Sequence, residues 1–130
     1  MKPLVFITGA SSGIGQALAL RFYQAGYRLA LAARRTEEVK SWADSINMGV
    51  SSYEIYSADV TDTASIVAAG QACIASQGVP DVVIANAGIS IGMDSAIRAD
   101  LDVMAHTFAT NNIGVAATFQ PFIDAMNQRA

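Results

Sequence analysis

The chain alternates short runs of aliphatic and β-branched residues with longer segments of helical periodicity, and this alternation restricts its possible folds more than any other feature. The short runs predict strands at Leu4–Ile7, Leu29–Ala33, Tyr53–Ser57 and Asp81–Ala85. A strand followed by a helix and then by another strand builds a parallel sheet with helices on its faces. After Asp81 the fourth run is continuously apolar, as expected of a strand buried on both sides. The sequence therefore predicts an α/β fold.

Helical periodicity fills the intervals between the strands. Gly26 is expected to end the first helix with left-handed backbone. Gly114 and Pro121 are expected to bend the last helical segment, which forms either one long helix or two stacked ones. A loop is predicted from Gly88 to about Asp94. The predicted helices cover Gly13–Ala25, a segment capped by Thr36 and running to about Ile46, a segment capped by Thr61 or Asp62 and ended by Gly78, and about Asp100 to Asn127.

The amino-acid composition and charge of the chain limit which binding partners and which cellular location are expected. The 130 residues are 52% hydrophobic and only 15% charged, with a formal net charge of −3, whereas about a quarter of a soluble domain is usually charged. Because the basic residues are scattered, neither nucleic acid nor a membrane surface is expected as a partner. No segment approaches the roughly 20 apolar residues of a membrane span. Cys73 is the only cysteine, so a reducing compartment is expected, with the cytoplasm as the default location.

A glycine-rich segment lies between the first predicted strand and the first predicted helix, at Thr8 to Gly15. In that position glycines permit a tight turn and let backbone approach a pyrophosphate, while the helix N-terminus offers N–H groups to the phosphates. Serine hydroxyls add donors. An ordinary tight turn between strand and helix is the alternative. The candidate cofactor-binding residues in this segment are Gly9, Ser11, Ser12, Gly13, Ile14 and Gly15.

The spacing Gly-x-x-x-Gly-x-Gly differs from both the Gly-x-Gly-x-x-Gly dinucleotide motif and the P-loop. It resembles the Thr-Gly-x-x-x-Gly-Ile-Gly signature of the short-chain dehydrogenase/reductase family. Asn86-Ala87-Gly88 is similar to that family's Asn-Ala-Gly signature, and Asp59-Val60 to its adenine-contacting pair. The resemblance implies one domain over residues 1–130, a Rossmann-type doubly wound parallel sheet in strand order 3-2-1-4, truncated before the later strands. An open sheet edge there would explain the high hydrophobic fraction.

The residues after the second predicted strand bear on which dinucleotide binds. NAD-type sites carry an acidic residue at the end of that strand, but here Ala33 is followed by Arg34 and Arg35. A guanidinium suits a phosphate dianion such as the 2′-phosphate of NADP. NADP is therefore the expected cofactor, with Arg34 as the first candidate for the phosphate and Arg35 as the second. In the alternative, both arginines are solvated loop charges that pair with Glu37 or Glu38.

Asn111 falls on the apolar stripe of the last helical segment, whereas Asn112 is turned away by one step. A buried amide without partners costs about 1–3 kcal/mol, so a specific polar partner is expected. The family carries a catalytic asparagine in a similar Thr-Asn-x-x-Gly context, which makes Asn111 the catalytic candidate and Asn112 the fallback. A structural asparagine bonded to a helix carbonyl is the alternative. No role is expected for His106, since metal ligation would need further ligands.

The family's reaction uses a tyrosine as acid/base and a lysine four residues later, and the chain contains no Tyr-x-x-x-Lys. Its only lysines are Lys2 and Lys40, with no tyrosine four residues before either. The resemblance places the missing residues beyond Ala130. The chain is thus expected to be the cofactor-binding half of an enzyme and inactive by itself.

The expected reaction of the whole enzyme moves a hydride between NADP(H) and a carbonyl or alcohol substrate. A non-catalytic dinucleotide-binding or interaction module is the alternative. An epimerase or dehydratase of related fold is disfavoured by the glycine spacing. The last helical segment, with Met104, Phe108 and Phe119, is similar to an element that family members use to associate, so a homo-oligomer is expected.

Overall fold

A computed structural model describes residues 1–87 and 96–129 of the chain. The strands are β1 (Leu4–Thr8), β2 (Arg28–Ala33), β3 (Tyr53–Ser57) and β4 (Val82–Ile84). The helices are α1 (Gly13–Gln24), α2 (Thr36–Ser45), α3 (Thr63–Ser76), α4 (Arg98–Phe108) and α5 (Gly114–Arg129). A 3-10 turn at Val50–Ser52 precedes β3, and a π-helical turn at Ala109–Ile113 joins α4 to α5.

The strands form a parallel sheet in the order β3-β2-β1-β4, which confirms the predicted α/β Rossmann-type topology. β1 lies between β2 and β4, and every residue of β1 is buried. Because neighbouring strands run in the same direction, their carboxyl ends meet at one edge of the sheet. From β1 the chain continues to β2 and β3 on one side and then crosses to β4 on the other side. The loops after β1 and β4 therefore diverge and open a crevice at that edge, the usual ligand position in such sheets.

Side chains of the central strands alternate between two cores. Val5 and Ile7 of β1 and Leu29 and Leu31 of β2 face α1 and α2. The intervening positions face α3 and α5, where the rings of Phe6 and Phe122 lie 4.8 Å apart. This alternation follows from the two-residue period of a strand. Burial of both faces explains why these strands have almost continuous apolar sequences.

Cys73 of α3 belongs to the second core and is fully buried. Burial raises the pKa of its thiol to about 12, so the side chain acts as a small hydrophobe. Nearby, Gly70 lets α3 and α5 approach closely, because a Cβ at Gly70 would collide with the ring of Pro121. The contact between α3 and α5 therefore depends on a residue without a side chain.

The predicted helix caps are only partly correct. Gly26 and Gly78 have the left-handed φ angles expected of helix-ending glycines, +90° and +105°. Asp62 caps α3 by accepting a hydrogen bond from the Ser65 N–H at 3.3 Å. Thr36 was the wrong cap: α2 begins at Thr36, and Arg35 is its cap residue. The Arg35 carbonyl already accepts hydrogen bonds from the Glu38 and Val39 N–H groups, so the helix begins one residue earlier than predicted.

β4 is shorter than the predicted Asp81–Ala85, and its residues are half-buried where burial on both sides was expected. Asp81, just before the strand, uses its side chain as a clamp. Its carboxylate accepts a hydrogen bond from the Leu4 N–H at 2.8 Å and pairs with Arg129 at the end of α5. The hydrogen bond from Leu4, with a smaller contribution from Arg129, holds the pKa of Asp81 below its usual value. This clamp ties the start of β4 to both β1 and α5.

The last helical segment is helical without a break from Arg98 to Arg129, so of the two predicted arrangements the one long helix is confirmed, with the π-helical turn inside it. α5 packs on the sheet through Phe122, and its first residue, Gly114, lies against the loop after β3. A Cβ at Gly114 would lie 2.8 Å from the Val60 carbonyl oxygen, so only glycine allows this approach. α4 has no buried residue within its described length, and its large apolar side chains Leu101 and Phe108 are exposed. None of the described helices combines the length and hydropathy of a membrane span.

Candidate functional site

A cleft of about 290 Å³ lies at the carboxyl ends of the strands. The loops after all four strands contribute to it, because a parallel sheet brings those loops to one edge. Its lining residues in the described part of the chain are Thr8, Gly9, Ser12, Ala32, Ala33, Arg34, Arg35, Ala58, Asp59, Val60, Thr61, Ile66, Asn86, Ala87 and His106. Eight of the predicted cofactor-binding residues are therefore together in one cleft: Gly9, Ser12, Arg34, Arg35, Asp59, Val60, Asn86 and Ala87.

The three glycines of the loop after β1 have different physical roles. Gly9 has a φ of +66°, and a Cβ there would lie 2.9 Å from the Ala87 Cα. A Cβ at Gly15 would collide with the Gly9 carbonyl oxygen. At Gly13, by contrast, a Cβ would meet no atom within 4 Å. Gly9 and Gly15 are thus required by the packing of the loop itself, whereas Gly13 leaves a space open at the start of α1.

Ser12 caps α1 rather than pointing a free hydroxyl into the cleft. Its Oγ accepts a hydrogen bond from the Gly15 N–H at 3.1 Å and donates to the Gly9 carbonyl at 2.8 Å. A hydroxyl has one hydrogen, so the donor capacity predicted for Ser12 is used inside the loop. Ser11 and Ile14 do not line the cleft; the Ile14 side chain, at the start of α1, is 70% exposed.

Asn86 links the loop after β4 to the glycine loop. Its Nδ2 donates to the Gly9 carbonyl at 3.3 Å and to Ser12 Oγ at 3.2 Å. The Thr8 hydroxyl oxygen accepts hydrogen bonds from the backbone N–H groups of Asn86 and Ala87 at 3.0 and 3.1 Å. The glycine-rich segment and the Asn-Ala-Gly motif, which were predicted separately, are therefore joined by hydrogen bonds. Gly88, predicted with them, lies outside the described residues, as does the whole of the loop predicted from Gly88 to about Asp94.

The two arginines after β2 differ in their contacts. Arg35 donates from Nη1 to the Glu38 carboxylate at 3.2 Å, an exposed pair within the first turn of α2. Across residues 1–87 and 96–129, no carboxylate forms a salt bridge with Arg34. Both side chains are exposed and line the cleft. The alternative of a loop ion pair thus applies to Arg35, and the guanidinium of Arg34 is available to a ligand.

Asp59 lies across the cleft in the loop after β3. Its Oδ1 accepts hydrogen bonds from the Thr61 hydroxyl at 2.6 Å and the Thr61 N–H at 2.9 Å. These bonds lower the pKa of Asp59, and electrostatic interactions with Arg34 and His106 lower it by smaller amounts. The carboxylate is therefore ionised at neutral pH and fixed in orientation beside Val60.

The catalytic candidate Asn111 lies in the π-helical turn and lines a second cavity of about 360 Å³. Met104, Thr107, Phe108 and Asn112 complete the described lining of that cavity. Asn111 is half-buried and Asn112 exposed, in the relative order expected from the helical pattern. Asn111 is not among the described residues that line the cleft, so its catalytic role stays a prediction.

His106 of α4 lines the cleft, although the sequence pattern assigned it no role. Glycine at the start of α5 allows contact with Val60, and α4, which precedes α5 through the π-helical turn, contributes His106 to the same cleft. Because that contact joins segments distant in the chain, the helical pattern alone does not reveal it.

The chain matches the family model described as short chain dehydrogenase over residues 3–130. It is 35% identical over 130 residues to the Dehydrogenase/reductase SDR family protein 7-like of Drosophila melanogaster, covering 97% of this chain and 40% of that protein. It is 27% identical to the NADP-dependent 3-hydroxy acid dehydrogenase YdfG of Salmonella typhi, covering 97% of this chain and 50% of that protein.

Among solved structures, a 3-ketoacyl-ACP reductase from Sinorhizobium meliloti 1021 superposes with a TM-score of 0.81 at 32% identity, over 98% of this chain and 50% of that one. The chain thus spans about half the length, or less, of the proteins it matches. The family match extends over the glycine loop, the Asp59 loop and the Asn86 loop that form the cleft. The chain therefore belongs to the short-chain dehydrogenase/reductase family of oxidoreductases.

Proposed function

We propose that this chain is the cofactor-binding half of an NADP-dependent oxidoreductase, which transfers a hydride between NADP(H) and a carbonyl or alcohol substrate. The observation that carries the proposal is the charge at the end of β2. There Ala33 is buried, and Arg34 presents a guanidinium to the cleft without a carboxylate partner among the described residues. A carboxylate at that place would repel a 2′-phosphate, whereas a guanidinium attracts it.

The start of α1 would hold the pyrophosphate of the cofactor. A Cβ at Gly13 would meet no atom within 4 Å, so a phosphate could approach the backbone N–H groups there, which favour an anion. The Gly15 N–H is already bonded to Ser12, so Gly13, Ile14 and the Ser11 hydroxyl are the donors proposed for the phosphates. Gly9 and Gly15 would act indirectly, by allowing the close packing that holds the loop in place.

The remaining residues would hold the two ends of the cofactor. Asp59 Oδ1 is occupied by Thr61, which leaves its second oxygen to accept from the adenine amino group, with Val60 against the ring. Asn86 and Ala87, with Gly88, would border the nicotinamide ribose. Asn111 would belong to a proton relay toward the substrate. The nicotinamide, when bound, supplies the hydride.

Replacement of Arg34 by alanine tests the choice of cofactor. We expect the dissociation constant for NADPH to rise about 10- to 100-fold, since a charge-assisted hydrogen bond to phosphate contributes about 1.5–3 kcal/mol. NADH affinity should change less than about threefold, because its ribose carries no 2′-phosphate. Isothermal titration of both cofactors measures the effect.

Two further variants serve as controls for Arg34→Ala. Arg35→Ala should weaken NADPH binding less, because Arg35 is paired with Glu38. Arg21→Ala, on the exposed surface of α1, should leave it unchanged. Equal losses for NADPH and NADH, or tighter binding of NADH by the unmodified chain, would contradict the proposal.

A non-catalytic dinucleotide-binding module is the second candidate. Both candidates predict NADPH binding, so binding alone does not separate them. The coding sequence after Ala130 separates the two candidates. A serine followed by Tyr-x-x-x-Lys within a few tens of codons favours the oxidoreductase. A stop codon there favours the module.

We also propose association with a second copy through exposed apolar side chains at the end of α4 and in the π-helical turn. Phe108 and Ile113 are 57% and 61% exposed, and a hydrophobic surface of this kind is typical of an interface. Sedimentation velocity is expected to show a dimer or larger species. The substitution Phe108→Glu is expected to shift the distribution of species toward the monomer. A concentration-independent monomer before substitution would rule this interface out.

A further inference from the structure

The loop after β3, from Asp59 to Thr61, forms one wall of the cleft. Asp59 Oδ1 accepts two hydrogen bonds from Thr61, one from the hydroxyl at 2.6 Å and one from the backbone N–H at 2.9 Å. Both donors thus bind the same oxygen of the carboxylate. Within residues 1–87 and 96–129, no group donates a hydrogen bond to Asp59 Oδ2. One oxygen of Asp59 is therefore held by its own loop, and the other is open to a ligand.

The backbone of this loop is fixed from two sides. The Asp59 N–H donates a hydrogen bond to Ser65 Oγ of α3 at 3.0 Å. On the other side Gly114 lies so close to Val60 that a Cβ on Gly114 would be 2.8 Å from the Val60 carbonyl oxygen. With the backbone held, the direction of the Asp59 carboxylate depends on its side-chain rotamer. The short hydrogen bond from the Thr61 hydroxyl is charge-assisted and about twice as strong as a neutral one, so Thr61 fixes that rotamer.

The chemistry of the open oxygen determines which base it accepts. The hydrogen bonds from Thr61 hold the pKa of Asp59 below its usual value, and an ionised carboxylate only accepts hydrogen bonds. Adenine carries an amino group at C6, whereas hypoxanthine carries a carbonyl oxygen at the same place. The carboxylate oxygen attracts the first group and repels the second. A site that accepts a hydrogen bond from an N–H group discriminates strongly against an analogue without it.

We propose that Thr61 is a specificity-determining residue, which positions Asp59 so that the cleft selects a purine with a 6-amino group over one with a 6-carbonyl group. The inference rests on the proposed function, because it requires a dinucleotide whose base lies beside Asp59. It adds selection of the base to the selection of the 2′-phosphate by Arg34. Thr61 acts through Asp59, so its loss changes the preference between bases as well as the affinity.

The test compares NADPH with its reduced hypoxanthine analogue, which differs only in the base. Isothermal titration of the full chain measures both dissociation constants, and their ratio is the base preference. We expect the unmodified chain to prefer NADPH by about tenfold or more. Thr61→Val keeps the branched shape and the backbone N–H but removes the hydroxyl. This substitution should lower the base preference about three- to fivefold, as expected for the loss of one hydrogen bond.

Two threonine variants are the matched controls. Thr61→Ser keeps the hydroxyl and should retain most of the base preference. Thr63→Val makes the same substitution at the exposed first residue of α3, which is not among the described residues lining the cleft. The base preference of Thr63→Val should equal that of the unmodified chain.

Asp59→Asn tests the orientation of the side chain directly. If Thr61 donates to the amide oxygen, the amide nitrogen takes the place of the open carboxylate oxygen. It then donates to the carbonyl oxygen of hypoxanthine instead of accepting from adenine. We therefore expect Asp59→Asn to prefer the hypoxanthine analogue. A purely structural role of Thr61 in the fold would not reverse the preference.

The possible results separate this inference from the proposed function. An unchanged base preference in Thr61→Val would overturn the role of Thr61 and leave the proposed function standing. Equal binding of both cofactors by the unmodified chain, or no reversal in Asp59→Asn, would also overturn it, while the phosphate contact of Arg34 would be unaffected. Failure of the unmodified chain to bind NADPH would overturn both. Circular dichroism verifies folding, and if Thr61→Val does not fold, Asp59→Asn decides by itself.

Discussion

Replacing Gly15 with alanine is expected to destabilise the chain by about 3 kcal/mol, the range of a forced overpacking, and to abolish cofactor binding. The added Cβ would collide with the Gly9 carbonyl oxygen. That carbonyl also accepts hydrogen bonds from Ser12 and Asn86, so moving it breaks the link between the two loops. Urea unfolding followed by circular dichroism measures the loss, and NADPH titration measures the effect on binding.

Gly13→Ala is the matched control, since it adds the same methyl group two residues away. A Cβ there meets no atom within 4 Å, and Gly13 is absent from the residues with positive φ. Alanine is also the better helix former. We therefore expect unchanged or slightly higher stability together with weaker NADPH binding, because the methyl group fills the space proposed for the pyrophosphate. Normal NADPH affinity in Gly13→Ala would show that the phosphates lie elsewhere.

Replacing Phe122 with alanine is expected to lower the free energy of unfolding by about 3–5 kcal/mol, as for other buried phenylalanines. Phe122 is 1% exposed and packs on Phe6 at the centre of the second core. The cavity left behind would loosen α5, which carries Gly114 at its start. We therefore expect NADPH affinity to fall as well, although Phe122 is not among the described residues lining the cleft.

Ile123→Ala provides the comparison for Phe122→Ala within the same helix. Ile123 is 53% exposed, and substitutions at such positions usually change stability by less than about 0.5 kcal/mol. Chemical denaturation of the two variants side by side measures the difference. Similar losses for both would mean that α5 is not held to the sheet by Phe122.

Local sequence patterns predicted the strands because each pattern expresses a local cause. The apolar runs of β1 and β2 follow from burial on both faces, and the observed strand bounds differ from the predicted ones by a single residue at one end. The prediction was poorer at β4, where the strand ends at Ile84 and begins after Asp81. The Asp81 clamp involves Leu4 and Arg129, which are distant from Asp81 in the chain, so no local sequence pattern predicts it.

In the candidate site, too, some features follow from local sequence and others depend on contacts between distant segments. The glycine spacing, together with the family resemblance, predicted a loop for a dinucleotide, and the match to the family over residues 3–130 supports that assignment. The hydroxyl of Ser12, however, was predicted as a phosphate donor and is used as a helix cap. A spacing pattern specifies where a hydroxyl occurs in the chain, but hydrogen-bond partners from another loop decide how it is used.

The sequence by itself determined the α/β class, the turn glycines after β1 and the positive charge after β2, since strand burial, backbone freedom and side-chain charge are properties of short segments. Only the tertiary structure decided which of these groups meet. It separated Arg34 from the paired Arg35, placed Asn111 in a second cavity and brought His106 into the cleft. The reason is that such contacts depend on the packing of helices onto a sheet, where Gly70 and Gly114 permit approaches that another side chain would prevent.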